Sequence, residues 1–290
     1  MNYAIKTEGI TKFYGVSPVL DDVSFSVEPG TFFALVGKNG VGKSTLMRVL
    51  MRFEPPNRGK AWVFGKDLEH DHPDFNANIG YVSETIEYAI PTSLKHFFAS
   101  YRKLYPNWDN SLFERVIREM NISLDTQFRS LSRGQKMQVA FSAALASHPK
   151  LLLLDEITSV MDANARSFFM HYLGNFTKQG GTVLMATNII YEVQHFAKQV
   201  LLLHEGQVKL NCLVNEISSN FVKIRRMPNV QDPIFADADC SEVTINSDGS
   251  SSHVIPIATA KKYSNIEKMK DMRGITIEEI FIYLTRNRWK

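Results

Sequence analysis

The stretch Thr31-Phe32-Phe33-Ala34-Leu35-Val36-Gly37-Lys38-Asn39-Gly40-Val41-Gly42-Lys43-Ser44-Thr45 decides the fold. Residues 37–45 fit the P-loop pattern G-x-x-x-x-G-K-[ST]. The apolar run before them reads as a buried strand. The run after them, 44–53, reads as a helix with Leu46, Met47, Val49 and Leu50 available to pack. A loop between strand and helix is the setting this pattern needs. Glycines let the backbone curl until successive N–H groups face one anion. The helix adds its own N-terminal N–H groups and positive dipole end. Lys43 has the reach for β- and γ-phosphates, and the Ser44 hydroxyl suits Mg²⁺.

Upstream, Tyr3-Ala4-Ile5-Lys6 and Val23-Ser24-Phe25-Ser26-Val27 alternate apolar and polar residues. Each is expected to form a strand with one buried face. Glu28-Pro29-Gly30 is a turn before the P-loop strand. Tyr14 closes Lys12-Phe13-Tyr14-Gly15 and has two readings, a base-stacking aromatic or a packed strand residue.

Downstream, Lys60-Ala61-Trp62-Val63-Phe64 and Ile79-Gly80-Tyr81-Val82 read as strands. From 84 to 149 the texture becomes helical. Leu94, Phe97, Phe98 and Tyr101 recur at helical spacing, as do Leu112, Val116 and Met120. Tyr88, Phe97, Phe98, Tyr101, Tyr105, Trp108 and Phe113 crowd this region. Most are expected in the core of a small helical subdomain, with a few on a docking surface. Leu131-Ser132-Arg133-Gly134-Gln135 then opens another helix. Ser132 and Gln135 fit a capping box, and the same helix start is an anion site; both readings hold together.

Leu151-Leu152-Leu153-Leu154-Asp155-Glu156 is an apolar run ending in two acids. It suits a parallel strand covered on both faces. Its carboxyl end is where open α/β sheets bind ligands. Asp155 suits a Mg²⁺ shell and Glu156 suits water activation. Ala163–Lys178 reads as the helix joining this strand to another at 182–187, a βαβ crossover. Gln199-Val200-Leu201-Leu202-Leu203 is a further buried strand, and His204-Glu205-Gly206-Gln207 a hairpin-like turn. After about 215, strand-like runs at 221–224, 242–245 and 252–255 precede a capping box, Thr276-Ile277-Glu278-Glu279. This part names no chemistry. Its terminal lysines and arginines are expected on a solvated face.

The composition adds limits. The chain has 290 residues, 44% hydrophobic and 22% charged, which suits one large or two smaller globular domains. A net charge of +3 gives no case for nucleic acid. Cys212 and Cys240 form no C-x-x-C pair and fit a reduced cytosolic chain. The first residues lack a signal-peptide core, and no apolar run reaches the roughly 18 residues of a membrane span. Any membrane-spanning part is expected on a partner chain.

With these residues assembled, the chain resembles the ATP-binding subunit of an ABC transporter. It is most similar to bacterial subunits paired with separate ABC-2-type permeases. The resemblance covers about 2–210 and, more loosely, 276–286. Tyr14 matches the adenine-stacking aromatic, 37–45 match Walker A, and 131–135 match the signature L-S-G-G-Q. Residues 151–155 match Walker B, Glu156 the catalytic base, and 159–162 the D-loop. The resemblance implies an α/β P-loop NTPase of ABC type with an antiparallel β subdomain and a helical subdomain over about 84–149. A small α+β appendage follows, giving domains at 1–214 and 215–290.

It also implies ATP and Mg²⁺ as ligands and ATP hydrolysis as the activity. Ser44, Asp155 and Glu84 would hold the metal, and Ser132, Gly134 and Gln135 would meet ATP bound to a second subunit. The implied partners are an integral-membrane permease and a homodimer or heterodimer of ATP-binding subunits, not nucleic acid. The implied place is cytoplasmic, on the inner face of the membrane, with export the expected direction. Arg133 replaces the first signature glycine, Glu84 replaces the Q-loop glutamine, and Asn188 replaces the switch histidine. Asparagine cannot carry a proton. The alternative is therefore an ATP-sensing module that closes but hydrolyses poorly.

Overall fold

The alternation at the start of the chain builds an antiparallel layer. The structure is a computed structural model that describes residues 3–70, 72, 75–83, 92–264, 266–271 and 274–286. In it β1 (Ile5–Phe13) and β2 (Pro18–Val27) pair with Ile5 opposite Val27. The apolar run at the P-loop forms β3 (Phe32–Val36), every residue of it buried. The P-loop then passes into α1 (Lys43–Leu50), whose Leu46, Met47, Val49 and Leu50 are buried. β4 (Arg58–Val63) and β5 (Lys66–Asp67) complete the first layer in the order β2-β1-β4-β5.

The next strand, β6 (Ile79–Val82), joins the sheet that contains β3, at its edge. Glu84 and Tyr88 lie outside the described residues. Three helices follow: α2 (Leu94–Tyr101), α3 (Asn110–Glu119) and α4 (Arg133–Ala146). Asp109 caps α3 by accepting from the Leu112 N–H at 2.9 Å. Most of the aromatics pack on one another, as expected of a subdomain core. Phe98 lies 4.5 Å from Phe113 and 6.1 Å from Trp108 between ring centroids, and Tyr101 5.0 Å from Tyr105. Aromatic rings bury 150–250 Å² each, so this short-helix cluster hides them for its own stability. The exposed large apolar residue among the described part of this segment is Leu104.

Then β7 (Leu151–Asp155), α5 (Ala163–Lys178) and β8 (Thr182–Thr187) form the expected crossover. After α6 (Ile190–Phe196), β9 (Gln199–His204) turns through Glu205 and Gly206, at φ 51° and 72°, into β10 (Gln207–Leu213). Left-handed angles at both turn positions match strand twist. The resulting sheet has the order β10-β9-β3-β8-β7-β6, with β3 between β8 and β9 in parallel. β3, β7 and β8 are buried along their whole length, which explains their unbroken apolar runs. Each fully buried leucine contributes roughly 1.5–3 kcal/mol, so Leu151 to Leu154 are a principal anchor of the sheet. No helix among the described residues is long and apolar enough to cross a membrane.

The chain divides into two compact units, Met1–Val208 and Lys209–Lys290. The second has α7 (Ile217–Asn220), β11 (Phe221–Arg226), β12 (Ser241–Ile245) and β13 (Ser251–Pro256), then α8 (Ile257–Ala260), α9 (Ile266–Met269) and α10 (Ile277–Arg286). Its strands form an antiparallel sheet, β11-β13-β12. Thr276 and Glu279 make the expected capping box, with bonds of 3.0 and 3.1 Å.

Candidate functional site

The P-loop is shaped by close backbone approaches. A Cβ on Gly37 would stand 2.5 Å from the Leu203 carbonyl oxygen, inside any normal contact. Gly42, the N-cap of α1, has φ 112°, and a Cβ there would stand 2.7 Å from the Val19 carbonyl oxygen. Only glycine fits both positions, so strand β3 can hand the chain to α1 with its first N–H groups open.

Lys43 starts α1 and is 3% exposed. Its ammonium donates to the carbonyl oxygens of Gly37 at 2.7 Å and Lys38 at 3.1 Å. It also pairs with Glu156 Oε1 at 2.7 Å. The lysine thus crosses the loop it belongs to and reaches the acid at the end of β7. Ser44 beside it is exposed on the first turn, where its hydroxyl is accessible.

The two acids after the leucine run sit as a buried pair at the carboxyl edge of the sheet, Asp155 at 3% and Glu156 at 8% exposure. The Asp155 charge is felt nearby: burial and then that carboxylate push the Tyr81 hydroxyl up to about 12. Glu156 has φ 50°, a left-handed angle unusual for a residue with a side chain. Its N–H donates to the Ala186 carbonyl of β8 at 3.0 Å, and its carbonyl accepts from the Ser159 hydroxyl at 2.7 Å. These bonds fix the strained residue from both sides.

Asn188 lies just beyond β8 and is exposed. Its amide donates to Asn39 Oδ1 of the P-loop at 3.2 Å. Lys38, Gly40, Val41 and Thr45 complete the loop, with Thr45 buried.

Tyr14 stands immediately after β1 and is 57% exposed, so it is not a packed strand residue. Its hydroxyl donates to Glu54 Oε2. Glu54 is clamped in turn by Arg48 at 2.6 Å and Lys12 at 3.5 Å. Desolvation, then this bond to Glu54, raises the Tyr14 hydroxyl, which keeps it a neutral donor. The ring is therefore held in place, with the Lys12 ammonium 5.6 Å from its centroid, while more than half of the residue stays exposed.

Ser132, Gly134 and Gln135 sit at the start of α4, where the capping box closes with bonds of 3.0 and 3.2 Å. Among the described residues, no hydrogen bond or ion pair joins these three to the P-loop. The structure thus brings together Lys43, Asp155, Glu156, Asn39 and Asn188, and leaves the signature helix start apart from them. Sequence reasoning missed Glu54, Arg48, Asn39's side-chain bond, Glu192 and Arg166. The one available signal was Glu192, a lone acid within the apolar run 189–193.

A P-loop between a buried parallel strand and a helix, facing two buried acids at the sheet edge, defines a nucleoside-triphosphate-binding fold. The family model described as "ABC transporter" matches residues 20–159. "Nod factor export ATP-binding protein I" of Rhizobium leguminosarum bv. viciae is 31% identical over 213 residues, 70% of this chain and 67% of that protein. "Methionine import ATP-binding protein MetN" of Clostridium acetobutylicum is 28% identical over 215 residues, 71% of this chain and 67% of that protein. A solved ATP-binding subunit of an ABC transporter superposes with TM-score 0.68 at 25% identity, covering 74% of this chain and 92% of its own. A dimeric ATP-binding cassette in a post-hydrolysis state with ADP and Pi shares the fold, with TM-score 0.64 at 21% identity over 72% of this chain and 98% of its own. The chain belongs to the ABC transporter family. It is an ATP-binding, ATP-hydrolysing subunit of the kind that energises a transporter.

Proposed function

We propose that this chain hydrolyses ATP through Lys43, Asp155 and Glu156 and passes the work to a separate membrane permease as one half of a dimer. The single observation that carries the site is the buried Lys43–Glu156 contact of 2.7 Å beneath the P-loop. An incoming γ-phosphate competes with Glu156 for the Lys43 ammonium. Binding then moves the lysine's charge to the phosphate and releases the Glu156 carboxylate to orient and polarise water. Catalysis here is positioning and charge stabilisation, because the transferring group needs little covalent help. Asn188, tied to Asn39, contacts phosphate oxygens as a neutral amide donor.

The donor set fits Mg²⁺: Ser44 and Asp155 offer hard oxygen ligands. Among the described residues no cluster of three or more His, Cys, Asp or Glu could hold a metal by itself, and Mg²⁺ is commonly completed by substrate phosphates. Bound there, the ion would neutralise charge on the β- and γ-phosphates. Glu84 is a proposed further ligand. Tyr14 stacks on the adenine, and Ser132, Gly134 and Gln135 meet the phosphates of ATP held by the other subunit.

We further take 1–214 as the ATP-binding domain and 215–290 as a small α+β domain. The subunit lies on the inner face of the membrane through its permease, and exposed Leu104 belongs to the docking side. Export is proposed from the likeness to the Nod factor exporter, whereas methionine and Fe(3+) import proteins align at 28% and 30% identity. Direction is read by flux in vesicles carrying the complex. The site is tested by phosphate release from the purified chain. Lys43→Ala loses turnover by about 100-fold or more. Near-wild-type release from that variant overturns the assignment.

A further inference from the structure

Glu192 is 1% exposed, yet no role at the phosphates falls to it. It lies in the first turn of α6, four residues beyond Asn188. Its Oε2 accepts from the Thr187 hydroxyl at 2.7 Å, and the same hydroxyl accepts from the Ile189 N–H at 3.0 Å. Thr187 and Ile189 flank Asn188, so one carboxylate anchors both sides of that residue. Glu192 Oε1 faces Arg166 Nε at 3.7 Å, and neither atom has a hydrogen-bond partner among the described residues. Arg166 projects from α5 and donates to the carbonyls of Thr158 at 3.4 Å and Met161 at 3.3 Å. Residues 158–161 are the turn that follows Glu156, and Ser159 already bonds the Glu156 carbonyl.

A buried acid is expensive unless it is held by donors. Burial raises the Glu192 carboxyl, while the hydroxyls of Thr158 and Thr187 and the Arg166 guanidinium act to keep it charged. The cost is incurred where the loop bearing Asn188 meets the turn bearing Glu156. A merely structural contact at that junction would be met more cheaply by apolar packing.

We propose that Glu192 and Arg166 form a positioning bracket that sets Asn188 and Glu156 in register with each other, and so controls turnover without holding nucleotide. The proposal rests on the site reading above. Neither residue is a catalytic residue: among the described residues no hydrogen bond or ion pair joins either to the P-loop. The bracket acts on the loop geometry that the transition state uses, so its loss lowers kcat and spares ATP affinity.

The test uses the full chain, with MgATP affinity, single-turnover hydrolysis and thermal midpoint measured on each variant. Glu192→Ala lowers the hydrolysis rate by about tenfold or more while affinity stays within about threefold. Glu192→Gln keeps the Thr187 bond but not the charge facing Arg166, and recovers part of the rate. Arg166→Met, at a partly exposed position, shows the same rate-only loss and decides the matter should Glu192→Ala fail to fold. In the Glu192→Gln, Asn188→Ala double variant the losses are not additive, because both act on one loop. Affinity falling together with rate, no rescue by glutamine, or strict additivity overturns the bracket. Lys43→Ala is run in parallel. If it is inactive while Glu192→Gln and Arg166→Met turn over like wild type, the bracket alone fails. If Lys43→Ala turns over normally, the site reading fails and takes the bracket with it.

Discussion

Each unit buries a lysine against carboxylates, and the surroundings give the two ion pairs opposite meanings. In the first unit Lys43 meets Glu156 at 2.7 Å, and in the second Lys223 meets Glu279 at 2.7 Å. Their side chains are similarly hidden, 2% and 10% exposed in one pair and 8% and 12% in the other. Lys223 sits within β11, its carbonyl accepts from the Asp271 N–H at 2.9 Å, and its ammonium faces Asp271 Oδ2 at 3.9 Å. Glu279 is already the capping residue of α10. Every partner of that pair is a fixed part of the fold. Lys43 instead projects from a helix start whose N–H groups are open, across a loop that admits no Cβ at Gly37 or Gly42, to an acid at φ 50°. A buried ion pair by itself says little about function; what it can exchange its partner for says more.

The two lysines can be played against each other. Lys43→Met removes turnover, by about 100-fold or more, and leaves the buried Glu156 carboxylate without its cation, so it also weakens the first unit; turnover in the folded protein is what separates the two lysines. Lys223→Met leaves two buried carboxylates without their cation. It costs the second unit about 3–5 kcal/mol, read by denaturant unfolding with amide exchange in β11 and α10. At a temperature where both units remain folded, ATP hydrolysis by Lys223→Met stays at the wild-type rate. If Lys223→Met halts hydrolysis without unfolding, or destabilises by less than about 1 kcal/mol, the contrast between the pairs collapses.

A smaller effect sharpens the contrast within the site. Asn188 spends its amide on Asn39 at 3.2 Å rather than on Glu156. Asn188→His gives the loop a longer side chain that can carry a proton. It raises single-turnover hydrolysis by about 3- to 10-fold, where tenfold is about 1.4 kcal/mol, with nucleotide affinity unchanged. If the histidine variant is no faster and Asn188→Ala matches wild type, the residue has no part in turnover.

These pairs also mark where the sequence could be read and where it could not. The P-loop, β3, β7 and β8 are local patterns: a glycine spacing and unbroken apolar runs whose burial follows from strands covered on both faces. The capping boxes at Ser132 and Thr276 are equally local, spanning three residues each. Glu54 and Asn188 find their partners 40 and 149 residues away, so no window along the chain contains both ends of the bond. The helical-subdomain aromatics show a third case. Helical spacing identified the elements, but only packing decides that Phe98, Phe113 and Trp108 face each other. Lys223 was hidden for a further reason: alternation places a lysine within a strand on either face, and burial depends on Asp271 and Glu279 arriving from far along the chain.

In the proposed cycle, Glu156 becomes the water-activating group once ATP takes Lys43 from it. Single-turnover phosphate release from Glu156→Gln, with ATP binding and dimer formation followed on the same samples, tests it directly. ATP affinity stays within about threefold of wild type, hydrolysis slows by about 100-fold or more, and an ATP-dependent dimer accumulates. Hydrolysis at the wild-type rate, or ATP binding lost along with it, would contradict the claim.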